Sequence, residues 1–131
     1  MMIKNPKHIK QIQDFTGIER TRSIRPTDID GLIDYAGHSF IYMEGKYNNK
    51  ELPKGQKIAL QNVVNSHNMA GHTAAAIIYN HNEKAPQPVI VAQCLVTKIY
   101  YKGKWTEAEN ITVLQFIEKW ESRILCKREN R

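Results

Sequence analysis

The chemically distinctive part of the sequence is an acidic pair followed by a Glu-x-Lys triplet. Asp28 and Asp30 lie close together, and Glu44-Gly45-Lys46 follows an apolar run that ends at Met43. Several carboxylates on one surface repel one another, and burial increases that cost. A divalent cation removes the repulsion, since Mg²⁺ binds one or two carboxylates together with waters and phosphate oxygens. These residues therefore predict a site that binds Mg²⁺ or Mn²⁺ and uses the ion to hydrolyse phosphodiester bonds.

Lys46 lies two residues after Glu44, so both side chains should point to the same side of a strand. An ammonium beside the metal can orient or help deprotonate a water, or stabilise the transition state. The competing interpretation is a solvated strand with ordinary acids and a salt bridge, because charged runs usually cover exposed faces. The apolar residues just before Glu44 favour the catalytic interpretation.

A tight turn between two strands would bring these residues together. Residues 27–34 and 39–47 are predicted as the two strands of a hairpin. Between them, Asp34 suits the first position of a type I turn, and Gly37 suits a left-handed position that makes a bulge. The sequence therefore predicts a three-residue loop over residues 35–37.

The loop length decides which residues face each other across the hairpin. A three-residue loop keeps the acids and Lys46 on one face, whereas a two-residue loop would turn Glu44 to the other face. The predicted opposed pairs are Asp34 with His38, Asp30 with Tyr42, and Asp28 with Glu44.

Helices and further strands are predicted around this hairpin. Amphipathic spacing indicates helices over residues 6–16, 54–68 and 111–125, with Asn110 as the N-cap of the last one. Runs rich in β-branched and aromatic residues predict strands over 73–79 and 89–101, followed by a turn at 102–104. This order predicts one α/β domain over residues 1–131, with a mixed central sheet flanked by helices and a frayed basic tail at 126–131.

Two of these helices carry a defined apolar face. The face of helix 54–68 should comprise Gln56, Leu60, Val63, Val64 and His67. The buried stripe of the last helix should comprise Val113, Leu114, Ile117, Trp120 and Ile124. Since Gln56 belongs to the first face, its side chain should point at the sheet.

Composition bounds the class of protein and its partners. The chain has 131 residues and a net charge of +6, which suits one ordinary domain that attracts polyanions such as nucleic acid. The alternative is a charge that serves solubility alone. No apolar run is long enough to span a membrane, and residues 1–7 lack the apolar stretch of a signal peptide. Cys94 and Cys126 suit a reducing compartment, so a cytoplasmic protein is expected.

The segment from Asp30 to Glu44-Gly45-Lys46 resembles the core of the PD-(D/E)XK nuclease superfamily. Residues 29–34 and the apolar run into Glu44 are similar to the central hairpin of that superfamily, and Gly55-Gln56 resembles the glutamine that many members place after the lysine. The resemblance covers residues 6–101 and implies a restriction-endonuclease-like fold. One departure is Gly45, where the superfamily usually has an apolar strand residue.

The resemblance also implies roles for individual residues. Asp30 and Glu44 would bind the metal, Lys46 would be the catalytic lysine, and Gln56 would complete the site. Asp28 is an alternative first metal ligand, because residues 26–28 also look like the start of the motif. Glu19 lies where some members place a further glutamate.

The implied activity is Mg²⁺-dependent endonucleolytic cleavage of DNA. Small phage and archaeal Holliday-junction resolvases of this superfamily are similar in size, which favours a branched or structured substrate. Cutting two strands would require a homodimer. The alternative is a catalytically inactive protein of the same fold that binds nucleic acid or a protein partner.

Basic residues beside the motif are candidates for contacts with DNA phosphates. Lys50, Lys54 and Lys57 follow Lys46 closely in the sequence and would track the backbone. Lys102 and Lys104 lie among aromatic residues at a predicted turn and could bind nucleic acid with them. The alternative for that segment is a hairpin tip with Trp105 facing the core. His67 and His72 lack metal-binding spacing and are expected to be core or surface residues.

Overall fold

The computed structural model describes residues 16–17 and 29–129, with side chains as far as Ile124. The described chain forms five strands and two helices. They are β1 (Gly31–Tyr35), β2 (Ser39–Tyr47), α1 (Lys54–Met69), β3 (Thr73–His81), β4 (Leu95–Tyr101), β5 (Lys104–Glu107) and α2 (Val113–Glu129), with one 3-10 turn at Val91–Gln93. The predicted helix over 6–16 lies almost entirely outside the described residues, as does the start of the predicted strand 27–34.

The strands form one mixed sheet in the order β1-β2-β3-β4-β5. β2 and β3 are parallel, and α1 makes the crossover between them, whereas every other neighbouring pair is antiparallel. The protein is therefore a small α/β domain with a mixed sheet, as predicted.

Each helix covers one face of the sheet. Leu60 and Val64 of α1 are buried against Ala74, Ala76 and Tyr100. On the opposite face, α2 packs against the sheet through a separate cluster, which includes Ile41, Ala75, Ile77, Val96, Val113, Phe116 and Trp120. Because side chains alternate along a strand, the even-numbered residues of β2 face the α1 side and the odd-numbered ones face the α2 side.

The β1–β2 hairpin has a different register from the predicted one. Tyr35 pairs with Ser39, so the loop comprises residues 36–38 and not 35–37. The turn begins one residue later because Ala36 and Gly37 both have positive φ values, 54° and 79°, and Asp34 Oδ1 accepts a 2.7 Å hydrogen bond from the Gly37 N–H. Each residue of β1 is paired two positions further along β2 than predicted, so every side chain stays on its predicted face. Extended by one pair beyond Gly31 and Met43, the register places Asp30 beside Glu44.

Three predictions after β3 are wrong in detail. The predicted strand 89–101 contains the 3-10 turn and becomes a strand only at Leu95, and β5 was not predicted. The N-cap of α2 is Thr112: its Oγ1 accepts from the Gln115 N–H at 3.1 Å while Gln115 Oε1 accepts from the Thr112 N–H at 2.9 Å. Leu114 is exposed, and Phe116 occupies the buried stripe in its place.

The observed bounds of α1 agree with the predicted helix, whereas those of α2 do not. α1 matches the predicted helix within a residue, and α2 continues to Glu129, into the segment predicted as a basic tail. Neither helix is long and apolar enough to cross a membrane, as far as the described chain extends.

Candidate active site

Glu44 is a buried carboxyl group on the α1 side of the sheet, with only 4% of its surface exposed. Burial, and to a smaller extent the negative charge of Asp30, raise the pKa of Glu44 to about 7. The Lys46 ammonium and a hydrogen bond from the Asp30 backbone oppose that rise without cancelling it. A cation bound at this carboxylate would relieve the cost of burying the negative charge of Glu44.

Asp30 lies just before β1 and is exposed. Its Oδ2 accepts a 2.7 Å hydrogen bond from the Gly45 N–H, which fixes the carboxylate against β2 next to Glu44. Asp30, just before β1, and Glu44, on β2, are therefore brought together, one exposed and one buried. Asp28, the alternative first ligand, lies outside the described residues.

Lys46 connects the carboxylates to α1. Its Nζ lies 3.4 Å from Glu44 Oε1 and donates a 3.0 Å hydrogen bond to Gln56 Oε1. Gln56 is in the first turn of α1 and points at the sheet, as its place on the apolar face predicted. The amide oxygen holds the ammonium between the helix and Glu44, with 18% of the lysine side chain exposed.

Gly45 is explained by its neighbour on β3. A Cβ atom at Gly45 would lie 2.6 to 2.8 Å from the ring and hydroxyl of Tyr79, which pairs with it on the α2 side of the sheet. Tyr79 is itself buried, and burial together with the charge of Asp30 raises its pKa to about 12. The glycine therefore admits the tyrosine ring directly beneath the strand that carries Glu44 and Lys46.

The donor set at this site fits a hard divalent cation. Asp30 and Glu44 supply carboxylate oxygens, and Mg²⁺ needs only one or two of these when waters and phosphate oxygens complete its shell. Within the described part of the chain, no group of three or more acidic, histidine or cysteine side chains gathers at one point. These two carboxylates therefore suit an ion whose remaining ligands are waters and substrate oxygens, and not an ion that is coordinated by protein side chains alone.

The predicted DNA-contact lysines fall into two groups. Lys50 and Lys54 are exposed at the end of the sheet where Lys46 meets Gln56, and Lys57 Nζ lies 5.4 Å from the centroid of the Trp105 ring. Trp105 is half-buried on this same face, where it packs against the α1 cluster. Lys57 and Trp105 thus extend the surface around Glu44 towards the sheet edge at β5.

The second group lies elsewhere. Lys104 pairs with Tyr101, which faces α2, and Lys102 Nζ lies 5.3 Å from the centre of the Tyr101 ring. The structure therefore does not bring Lys102 and Lys104 to the carboxylates.

A tyrosine and a histidine on the Glu44 face were not predicted as partners. Tyr42 OH and His67 Nε2 share a 2.7 Å hydrogen bond, and Phe40 stacks on the His67 ring with centroids 3.9 Å apart. Burial raises the pKa of Tyr42, and the negative charge of Asp34 adds to this rise. Burial lowers the pKa of His67, and the charge of the neighbouring His72 lowers it further. The even spacing of Tyr42 and Glu44, with His67 on the apolar face of α1, is the sequence signal that points to this pair.

Comparison with known proteins adds no relative to this geometry. No protein-family model matches the chain, and neither the curated proteins nor the solved structures contain a detectably similar one.

Proposed function

We propose that this protein is a metal-dependent deoxyribonuclease of the PD-(D/E)XK type, with a restriction-endonuclease-like fold. The observation that carries the proposal is the arrangement around Glu44: a buried carboxyl with Asp30 on one side and Lys46 on the other, the lysine held by Gln56. A purely structural core has no need to bury a carboxyl group whose pKa is raised to about 7 beside a second carboxylate.

The chemistry divides between the ion and the chain. When bound by Asp30 and Glu44, Mg²⁺ or Mn²⁺ supplies an activated water and screens the charge of the scissile phosphate. The Gly45 N–H donates a hydrogen bond to Asp30 Oδ2, which orients this carboxylate against β2. Lys46 presents an ammonium that orients the water or stabilises charge on the phosphate, and Gln56 limits the rotation of that ammonium.

The proposed substrate is DNA, in a branched or structured form such as a Holliday junction. Lys50, Lys54 and Lys57 provide phosphate contacts on the side of the site where Lys46 lies, and phosphate contacts position a duplex without reading its sequence. A homodimer in the cytoplasm would present two such sites to paired strands.

The test is an incubation of the protein with Mg²⁺ or Mn²⁺ and a panel of linear, single-stranded, nicked and four-way-junction DNA. The parent should cleave at least one substrate, and Glu44→Ala and Lys46→Ala should each lower the rate by about 10²–10³ or more. Glu118→Ala and Lys84→Ala are matched controls, because both residues are exposed and neither contacts the site.

Circular dichroism should show that all four variants keep the parental secondary structure. Cleavage by Glu44→Ala at the parental rate would refute the proposal. Metal-independent DNA binding without cleavage of any substrate would favour the inactive nucleic-acid-binding alternative.

A further inference from the structure

A pocket of about 290 Å³ lies between α2 and the β4–β5 hairpin, on the face of the sheet opposite to Glu44. Its apolar walls combine aromatic and aliphatic side chains, namely Tyr101, Phe116, Trp120, Ile99 and Ile111. Tyr101 meets Trp120 edge to face with ring centroids 5.6 Å apart, and Phe116 stacks near Trp120 at 6.0 Å. Trp120 is held in place because its indole N–H donates a 2.8 Å hydrogen bond to Ser39 Oγ. The walls are thus apolar, and the Trp120 ring is held in one orientation.

The rim of the pocket is cationic. Lys104, Lys119 and Arg123 all line it and are exposed, and no acidic residue is among the lining side chains that the structure describes. The described side chains form no ion pair with these three cations. Lys102 adds a fourth positive charge at the edge, since its Nζ lies over the Tyr101 ring. The rim would therefore attract an anion that carries more than a single weak charge.

We propose that this pocket binds a nucleoside monophosphate unit, with its base against the apolar walls and its phosphate on the cationic rim. Aromatic side chains stack on any base, and an arginine guanidinium matches phosphate oxygens in pairs. The volume of about 290 Å³ is just below the usual range for small-molecule pockets, which suits one nucleotide and not two. The unit could be a free nucleotide or one residue of a single strand.

This pocket is separate from the proposed cleavage site at Glu44, because the two lie on opposite faces of the sheet. It also gives Lys102 and Lys104 a role that their position away from Asp30 and Glu44 otherwise leaves without a target. An aliphatic anion would gain less from the pocket, since flat rings offer it no stacking and it carries one charge against the several on the rim.

The experiment uses the full-length Glu44→Ala variant in EDTA, so that no probe is cleaved. Thymidine monophosphate and an oligothymidylate of about ten nucleotides are titrated separately. Binding is followed by NMR of the two tryptophan indole N–H signals, assigned with Trp105→Phe. We expect both probes to shift the Trp120 signal more than the Trp105 signal, because only Trp120 lines the pocket.

Three variants test the pocket itself. Lys119→Glu and Arg123→Glu should each weaken binding of thymidine monophosphate about tenfold, because each loses a charged contact with phosphate and adds a repulsive charge. Thr106→Trp should block binding by filling the pocket, which Thr106 lines. Lys84→Glu makes the same charge change in the loop after β3, outside the lining, and should keep the affinity within about twofold.

The outcomes separate the sources of the ligand. A response to both probes identifies a site open to free nucleotides, and a response to the oligonucleotide alone identifies a single-strand site. The proposal is overturned if neither probe moves the Trp120 signal, or if Lys119→Glu and Arg123→Glu bind like Lys84→Glu. It is also overturned if decanoate displaces the nucleotide at equal concentration, which would indicate a site for apolar anions.

Discussion

Glu44 makes the stability of this protein depend on pH. Its pKa is about 7 in the folded chain, against an ordinary value of 4.5, so between these pH values the folded state holds a proton that the unfolded state has released. The free energy of unfolding should therefore fall as pH rises from about 4.5 to about 7, by ~3 kcal/mol in all. Urea denaturation in EDTA at a series of pH values measures this fall.

Glu44→Gln should abolish most of that dependence and should be more stable than the parent at pH 8 without metal. Glu118→Gln, a change of the same kind at an exposed position of α2, should keep the parental pH profile. Mg²⁺ at pH 8 should raise the unfolding free energy of the parent but not that of Glu44→Gln, because only the parent offers the buried carboxylate to the ion. A parental profile in Glu44→Gln would mean that another group titrates.

Gly45 and Tyr79 should behave as a coupled pair. Gly45→Ala places a methyl group less than 3 Å from the buried Tyr79 ring and should cost ~1–3 kcal/mol of stability. Tyr79→Leu removes most of the obstacle, so the same glycine change should cost much less in that background. Chemical denaturation of the four proteins of this double-mutant cycle gives the coupling energy.

Gly37→Ala is not a suitable comparison for this cycle, because Gly37 has a φ of 79° and the change would strain the backbone. Gly55→Ala is the better control, since a Cβ there meets no atom within 4 Å. Equal costs for Gly45→Ala in the parental and Tyr79→Leu backgrounds would show that the close approach is relieved in another way.

Among the elements, α2 depends on its cap at Thr112. Thr112→Ala removes the side-chain acceptor for the Gln115 N–H and should lower the unfolding free energy by ~1 kcal/mol. Asn110 has a φ of 55°, so Asn110→Gly should be neutral or slightly stabilising. Thermal denaturation of both variants distinguishes the two candidate caps, and a larger loss in Asn110→Gly would restore Asn110 as the cap.

A helix or strand could be predicted from the sequence where the pattern that determines it lies within the segment itself. α1 and β2 were predicted closely because amphipathic spacing and an apolar run are properties of the segment itself. The hairpin register was wrong because a positive φ at Ala36 is not a preference of alanine. β5 has only four residues, and its pairing with β4 is what makes it a strand.

The site was predictable for a related reason. Glu44 and Lys46 share a face of β2 in any register, and an even shift in pairing keeps Asp30 next to Glu44, so the error in the loop did not separate them. The contact between Lys46 and Gln56 also followed, since both positions were assigned to facing surfaces. The separation of Lys104 from Lys57 could not be predicted, because it depends on which face of the sheet Lys104 presents, and β5 was not predicted.

At the scale of the whole molecule, the lysines beside the site should govern the salt dependence of the proposed DNA binding. Each phosphate neutralised by a lysine adds ~0.9 to the slope of log affinity against log salt on duplex DNA. Replacing Lys50, Lys54 and Lys57 by glutamine should therefore flatten that slope by ~2–3 and weaken binding about equally on all sequences. Fluorescence anisotropy at several salt concentrations gives the slope.

Lys84→Gln is the single-site control for this measurement and should leave the slope close to the parental value. The triple variant should keep the stabilisation by Mg²⁺, because none of its three residues is a proposed ligand. An unchanged slope would place the duplex elsewhere on the protein. The Lys57 contact with Trp105 adds a further expectation, since tryptophan fluorescence should change in the triple variant even without DNA.

The connectivity of the sheet also has a consequence for the order in which the molecule assembles. The candidate catalytic residues all lie between Asp30 and Gln56, so one hairpin and the start of one crossover suffice to gather them. Trp120 reaches Ser39 across 81 positions of the chain. Because closing a longer loop costs more entropy, folding should build the α1 side of the sheet first and dock α2 afterwards. A newly made chain would then assemble the residues of the candidate metal site before it closes the opposite face of the sheet.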